Sequence, residues 1–203
     1  MRLRSPAAPQ ITRRVFLCAG TLLGGLCGGA GLARAEEALV PISLQVELLL
    51  KVAGYDKNLQ QRAAGRLGVL VLLAKEDPDS VRSAAQARLA LSKTREVLGL
   101  PLESSSVAYS DAPALAQLLQ STRPAILYVM PGFPESALVA IAEACAGISV
   151  LSVGALARFA ERGTVLALDL VGGKPKLIVH LARARRQHVD LSSNVLKLMR
   201  VIE

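Results

Sequence analysis

Tryptophan is absent from this chain, and aromatic residues of all kinds make up only 3% of its 203 residues. Histidine occurs twice and cysteine three times. So few cysteines exclude a small disulfide scaffold. Neither His180 nor His188 has a Cys, Asp or Glu near it at metal-ligand spacing, so the pattern predicts no zinc site. There is no Gly-x-Ser-x-Gly element, so a serine hydrolase on an α/β frame lacks its nucleophile signature. Acidic residues are missing before position 36. Five of the eight net positive charges sit there, on Arg2, Arg4, Arg13, Arg14 and Arg34, leaving three for the rest of the chain. The basic excess is therefore local and does not point to nucleic acid. What the chain does have is 52% hydrophobic residues, too many for disorder.

Residues 1–35 read as a cleavable leader. Thr12-Arg13-Arg14-Val15-Phe16-Leu17 resembles a twin-arginine export signal. An uncharged run follows from Val15 to Ala33, diluted by six glycines, and Ala33-Arg34-Ala35 is a small-x-small cleavage site. A retained membrane anchor is the rival reading, since 19 residues of helix reach about 28 Å. Leu26, before Cys27, stands where a lipoprotein needs a small residue. The glycines around Cys27 lie inside the apolar run, not between a strand and a helix, so they form no phosphate loop. Residues 36–203 are then one exported, periplasmic domain. Cys18 and Cys27 leave with the leader, and Cys145, in line with Leu138, Ile141 and Ala142 at helical spacing, is expected to be a buried thiol rather than an intermolecular disulfide or a redox switch.

The remaining chain alternates apolar strands with amphipathic helices. A helix from Ser43 to Ala53 precedes the aliphatic run Arg66–Ala74, which reads as a strand buried on both faces. Asp77-Pro78 starts a helix whose face Val81, Ala84, Ala87, Leu91 and Leu98 extends until Gly99 and Pro101. Further strands are expected near Val107–Ser110, Ala125–Met130 and Ile148–Val153, and helices over Ala112–Gln120, Glu135–Ala146 and Ala155–Glu161. Thr164–Val171 and Lys176–Leu181, joined through Gly172-Gly173, read as an antiparallel hairpin at the sheet edge. A basic helical segment, Ala182–His188, and a last helix with Leu191, Val195, Leu198 and Ile202 on one face close the chain. The fold class is α/β: a mostly parallel sheet of four to six strands flanked by helices.

Chemistry is sparse. Asp169 and Glu135 are isolated carboxylates, and Glu135 is explained by the helix N-terminus it occupies. His180 is expected to be structural. Arg183, Arg185 and Arg186 form a basic zone without aromatics, which suits a solvated face or a contact with an acidic partner or anionic headgroups better than nucleic acid. In open α/β sheets ligands sit beyond the carboxyl ends of the strands, so the loops after Leu73, Ser110, Met130 and Val153 would line a pocket. Met130, Gly132 and Phe133 are its most distinctive residues.

The stretch Val150–Ile202 resembles the C-terminal part of the YfiR family of periplasmic proteins. The resemblance rests on Leu151-Ser152-Val153, the glycine turn between two strands and, in register, Ser192, Ser193, Leu196, Lys197 and Leu198. The family usually has Asn at His180 and an aromatic at Leu177, and its disulfide cysteines are missing here, so redox control is not implied. The resemblance implies a non-enzymatic regulator without cofactor. Such a protein binds the periplasmic part of an inner-membrane diguanylate cyclase, modulates cyclic-di-GMP output, and can pair as a homodimer. The alternatives are a small-ligand-binding module and an uncharacterised hydrolase.

Overall fold

The computed structural model describes residues 39–203. The expected leader, with Cys18, Cys27, Ala33 and Ala35, lies outside the described residues. Helix α1 (Ile42–Ala53) is followed by a short α2 (Leu59–Ala63) and strand β1 (Leu67–Leu73). Along β1, Val69 and Val71 enter one core while Leu70 and Leu72 enter the other, which is why the run is aliphatic throughout. Asp77 caps α3 (Pro78–Ser92): its Oδ1 accepts from Ser80 N at 2.8 Å, with Pro78 in the first turn.

Here the structure departs from expectation. Helix α3 stops at Ser92, and Leu98, with Gly99, instead forms the tip of a hairpin between β2 (Glu96–Val97) and β3 (Leu100–Ala108). Both tip residues have positive φ, 53° and 77°, as a two-residue turn requires. Leu98 therefore leaves the predicted helix face, and Val81 is exposed as well. The strand expected at Val107–Ser110 is the end of the nine-residue β3.

The chain continues through α4 (Ala112–Thr122), β4 (Ile126–Val129), α5 (Glu135–Cys145), β5 (Leu151–Gly154), α6 (Ala157–Arg162), β6 (Leu166–Val171) and β7 (Lys174–His180). It then forms α7 (Leu181–Arg186), α8 (Ser193–Leu196) and β8 (Arg200–Ile202). The sheet runs β2-β3-β1-β4-β5-β6-β7-β8. Strands β3, β1, β4, β5 and β6 are parallel neighbours, β6 and β7 are antiparallel, and β8 is parallel to β7. The α/β class holds, with eight strands where four to six were expected. The β6–β7 turn is built on Gly172 (φ 57°) and Gly173 (φ 74°), but the hairpin is not outermost. The segment expected to finish the last helix adds β8 beside β7, so Leu191, Val195, Leu198 and Ile202 share no helix face. Leu191 and Val195 are buried, whereas Leu198 is 75% exposed.

Among the described residues two large cores flank the sheet, beside a small third cluster of Ala160, Ala167 and Ile178. One holds Leu49, Leu91, Tyr128, Leu151 and Val195, the other Leu119, Leu138, Ile141, Cys145 and Phe159. Inside the first, Tyr128 donates its hydroxyl to Gln45 Oε1 at 2.6 Å, and Gln45 Nε2 donates to the carbonyls of Val40 (2.7 Å) and Ala155 (3.2 Å). Every polar atom of this buried contact has a partner, as a dry interior demands. Burial pushes the Tyr128 hydroxyl well above its ordinary range, so it stays a neutral donor.

Candidate functional site

From β1 the chain crosses to β3 on one side, while β4 lies on the other. The loops after β1 and β4 therefore diverge, and this switch point is where open sheets bind ligands. The structure brings Met130, Gly132 and Phe133 to this place. Met130 and Phe133 turn into the cores and are buried, and Tyr109 meets the Phe133 ring edge-on at 5.6 Å. Gly132 (φ 97°) lies so near Asp77 that a Cβ there would sit 2.6 Å from the Asp77 Cγ. The two loops thus touch, and the helix cap of α3 closes the crevice from one side. Ser80 Oγ, accepting from Ala74 N at 2.9 Å, ties the β1 loop to the same cap.

The wide concavity lies at the opposite end of the sheet, a groove of about 1270 Å³ whose lining includes Arg62, Arg66, Ser105, Arg123, Ser149 and His188. Its wall conceals a feature that sequence reasoning missed. Arg62 Nη1 lies 2.7 Å from Asp56 Oδ2, and both side chains are almost fully buried. Asp56 Oδ1 accepts from the amides of Asn58 (3.1 Å) and Asp190 (3.0 Å). Arg62 donates through Nη2 to His188 O (3.1 Å) and through Nε to Ser149 Oγ (3.3 Å). Asn58 Nδ2 adds a bond to His188 O at 2.9 Å. The knot fastens the segment bearing Asp190, Leu191 and Ser192 to the turn after α1. The terminal motif is thus held by main-chain contacts, with Ser192 N donating to Tyr55 O at 3.0 Å.

The basic zone is less free than its composition suggests. The Arg183 guanidinium donates to the carbonyls of Ala160 and Glu161 at the end of α6. Burial, with Arg186 and Arg162 nearby, lowers its affinity for the proton. Arg186 pairs with Glu143 at 3.2 Å and Arg200 with Glu161 at 3.1 Å. Arg185 is exposed. Arg162, Arg183 and Arg186 border a small cleft of about 150 Å³ between α5, α6 and α7. Among the described residues no group of three His, Cys, Asp or Glu side chains could hold a metal ion.

Cys145 is fully buried, and desolvation pushes its thiol up to about 12. Ellman's reagent should therefore leave the native protein unmodified and react only once denaturant opens the core; rapid native labelling would contradict the packing. His180 is half-buried on β7, flanked by β6 and β8 instead of at the edge. Burial, then the neighbouring Arg183, lowers its pKa from 6.5. The folded state thus takes up this proton later than the unfolded state does. Stability should be full above pH 6.5 and fall as pH drops from there through the lowered folded pKa. His180→Asn should flatten that part of the stability profile in urea titrations at stepped pH, and an unchanged slope would refute the assignment.

Residues 44–200 match the model of the YfiR/HmsC-like family, DUF4154. No curated protein matches the chain. Among solved structures it resembles a conserved domain protein from Vibrio cholerae (TM-score 0.52, 14% identity, covering 80% of this chain and 60% of that one). It also resembles an ABC domain from Streptococcus pneumonia determined in complex with L-Trp (0.51, 13%, 80% and 62%). A third is the ligand-free, open form of CD0873, a substrate-binding protein with adhesive properties from Clostridium difficile (0.53, 12%, 72% and 58%). The chain spans about three-fifths of the length of these structures, and at such identities the likeness is one of fold.

Proposed function

Because the chain belongs to the YfiR/HmsC-like family, a family of non-enzymatic periplasmic regulators, we propose that it binds the periplasmic portion of an inner-membrane signalling protein of the diguanylate cyclase type and sets cyclic-di-GMP output. The family match across residues 44–200 carries this reading. The twin-arginine pattern supports export, with removal of residues 1–35 after Ala33-Arg34-Ala35 and residues 36–203 acting as one domain. No helix among the described residues is long and apolar enough to cross a membrane. Binding would act by favouring one state of the partner, which requires unequal affinity for its two states. In the basic zone, Arg183 and Arg186 already serve α6 and Glu143, so Arg185 is the arginine most available to an acidic partner surface. Deleting the gene should shift cellular cyclic-di-GMP by several-fold; an unchanged level would refute the role.

A second reading, a small-metabolite module, is favoured by one observation. The fold is shared with a domain solved with a bound amino acid and with a substrate-binding protein. Its ligand would enter at the switch point beside Met130, Gly132 and Phe133 once the contact of Gly132 with Asp77 parted. Thermal-shift screening against periplasmic metabolites tests it: a saturable stabilisation supports a ligand site, and a flat screen excludes one.

A further inference from the structure

We propose that the groove at the amino ends of the parallel strands binds a small organic phosphate, held through its phosphate group by Arg66, Arg123 and Ser149. This site lies at the end of the sheet opposite Met130, Gly132 and Phe133, and it does not depend on which partner the protein regulates. Three neighbouring strands supply its residues. Arg66 precedes β1, Arg123 precedes β4 and Ser149 precedes β5, and these strands lie side by side in that order. Val69 pairs with Ile126 and Ile126 with Leu151, so Arg66 and Arg123 each stand three residues before a matched position and Ser149 two. All three line the groove of about 1270 Å³. Adjacent strands are about 4.8 Å apart, which puts two guanidinium groups and a hydroxyl within reach of one anion.

The charges suit an anion. Among the described residues Glu103 is the one carboxylate in the lining, and Arg66 already holds it at 2.9 Å. Asp56, behind the wall, is neutralised by Arg62. Arg123 is exposed and has no acidic partner among the described residues. The carbonyl end of α4, which would favour a cation, is occupied. Leu118 O accepts from Ser121 Oγ (3.0 Å) and Thr122 Oγ1 (2.7 Å), and Leu119 O accepts from Arg123 N (3.0 Å). Ser149 Oγ accepts from Arg62 Nε at 3.3 Å, so its own proton is left for an acceptor in the groove. A phosphate monoester, with about two negative charges and three terminal oxygens, matches two arginines and a hydroxyl; a carboxylate is met by one guanidinium. Ser104, Ser105 and His188 remain for the rest of the molecule. Backbone conformation marks the same place. Four non-glycine residues among those described have positive φ, and three of them line this groove: Ala64 (47°), Arg123 (45°) and His188 (54°). Arg123 is the left-handed cap of α4, where glycine is the unstrained residue. An arginine there keeps its side chain at a cost to the fold, as residues at binding sites do.

Isothermal titration with inorganic phosphate and with glycerol 3-phosphate tests the site. Both should bind saturably, one per chain, and acetate should bind at least about tenfold more weakly, because it engages fewer charge-assisted hydrogen bonds. Arg123→Gly should keep or raise the thermal transition, since it relieves the left-handed cap, yet weaken phosphate binding by about tenfold or more. Arg66→Gln should weaken binding similarly. Arg88→Gln, exposed on α3 and outside the groove, should leave it unchanged. The proposal is overturned if either phosphate fails to bind saturably, or if acetate binds as tightly as phosphate. It is equally overturned if a folded Arg123→Gly variant binds phosphate as the wild type does, or if Arg88→Gln weakens binding as much as Arg123→Gly.

Discussion

Arg62→Met should destabilise the protein by about 3–5 kcal/mol in urea denaturation at neutral pH. The substitution keeps most of the side-chain volume and removes only the charge and its donors. It leaves the Asp56 carboxylate, fully buried, with two amide donors and no counter-charge. It also takes one of two donors from His188 O and the only bond from Ser149 Oγ to this knot. An uncompensated buried charge dominates these losses, because bringing an ion out of water costs several kcal/mol unless an opposite charge meets it. The double variant Asp56→Asn/Arg62→Met should regain a substantial part of the loss, since no buried ion remains, and the cycle isolates the pair from its surroundings. Proteolysis should detect the same event locally, through earlier cleavage in the segment after α7. A loss below about 1 kcal/mol for Arg62→Met would show that the pair is hydrated and would detach the terminal motif from this explanation.

Gly154→Ala is expected to be the next most damaging change. Gly154 ends β5, and a Cβ at that position would lie 2.3 Å from the Cβ of Phe159 in α6. Neither atom is the far end of a flexible side chain, so relief requires moving the strand end or the helix. Phe159 is fully buried in the second core, which leaves α6 little room to retreat. Overpacking of this kind costs about 1–3 kcal/mol, sometimes more. Gly68→Ala in β1 is the matched control. The nearest heavy atom to its added Cβ is the Pro124 Cα at 3.6 Å, an ordinary contact. With no positive φ to strain, it should be neutral or stabilise by about 0.4–1 kcal/mol through the unfolded chain. Equal effects at the two glycines would mean that the β5–α6 approach is looser than the structure places it.

The legible parts of this fold are those whose signal is local. β1 reads as a doubly buried strand because Val69, Leu70, Val71 and Leu72 each meet a core. Asp77-Pro78 reads as a helix start, and Gly172-Gly173 as a tight turn, because each motif has its physical cause within a few residues. β3 was not legible over its full length. Gly99 and Pro101 punctuate the chain as helix stops do, and Ser104, Ser105 and Ser106 interrupt the middle of β3, which leaves no alternating apolar face to read. β8 is three residues long and is specified by its register with Ile178, Val179 and His180, not by its own composition. At the switch point Met130 is buried in one core and Phe133 in the other, because whether a loop side chain faces a crevice or a core depends on packing that the sequence does not record. Arg62 was invisible for a plainer reason: its partners stand at Asp56, Ser149 and His188, and nothing local distinguishes it from a solvated arginine.

A regulator of the proposed kind works by holding a membrane signalling protein in one state. Affinity purification of the tagged, exported protein from solubilised membranes, followed by mass spectrometry, tests it most directly. The expected result is enrichment of a diguanylate cyclase-type protein with a periplasmic domain, lost on addition of excess untagged protein. Recovery of no such membrane protein, together with unchanged cyclic-di-GMP in the deletion strain, would contradict it.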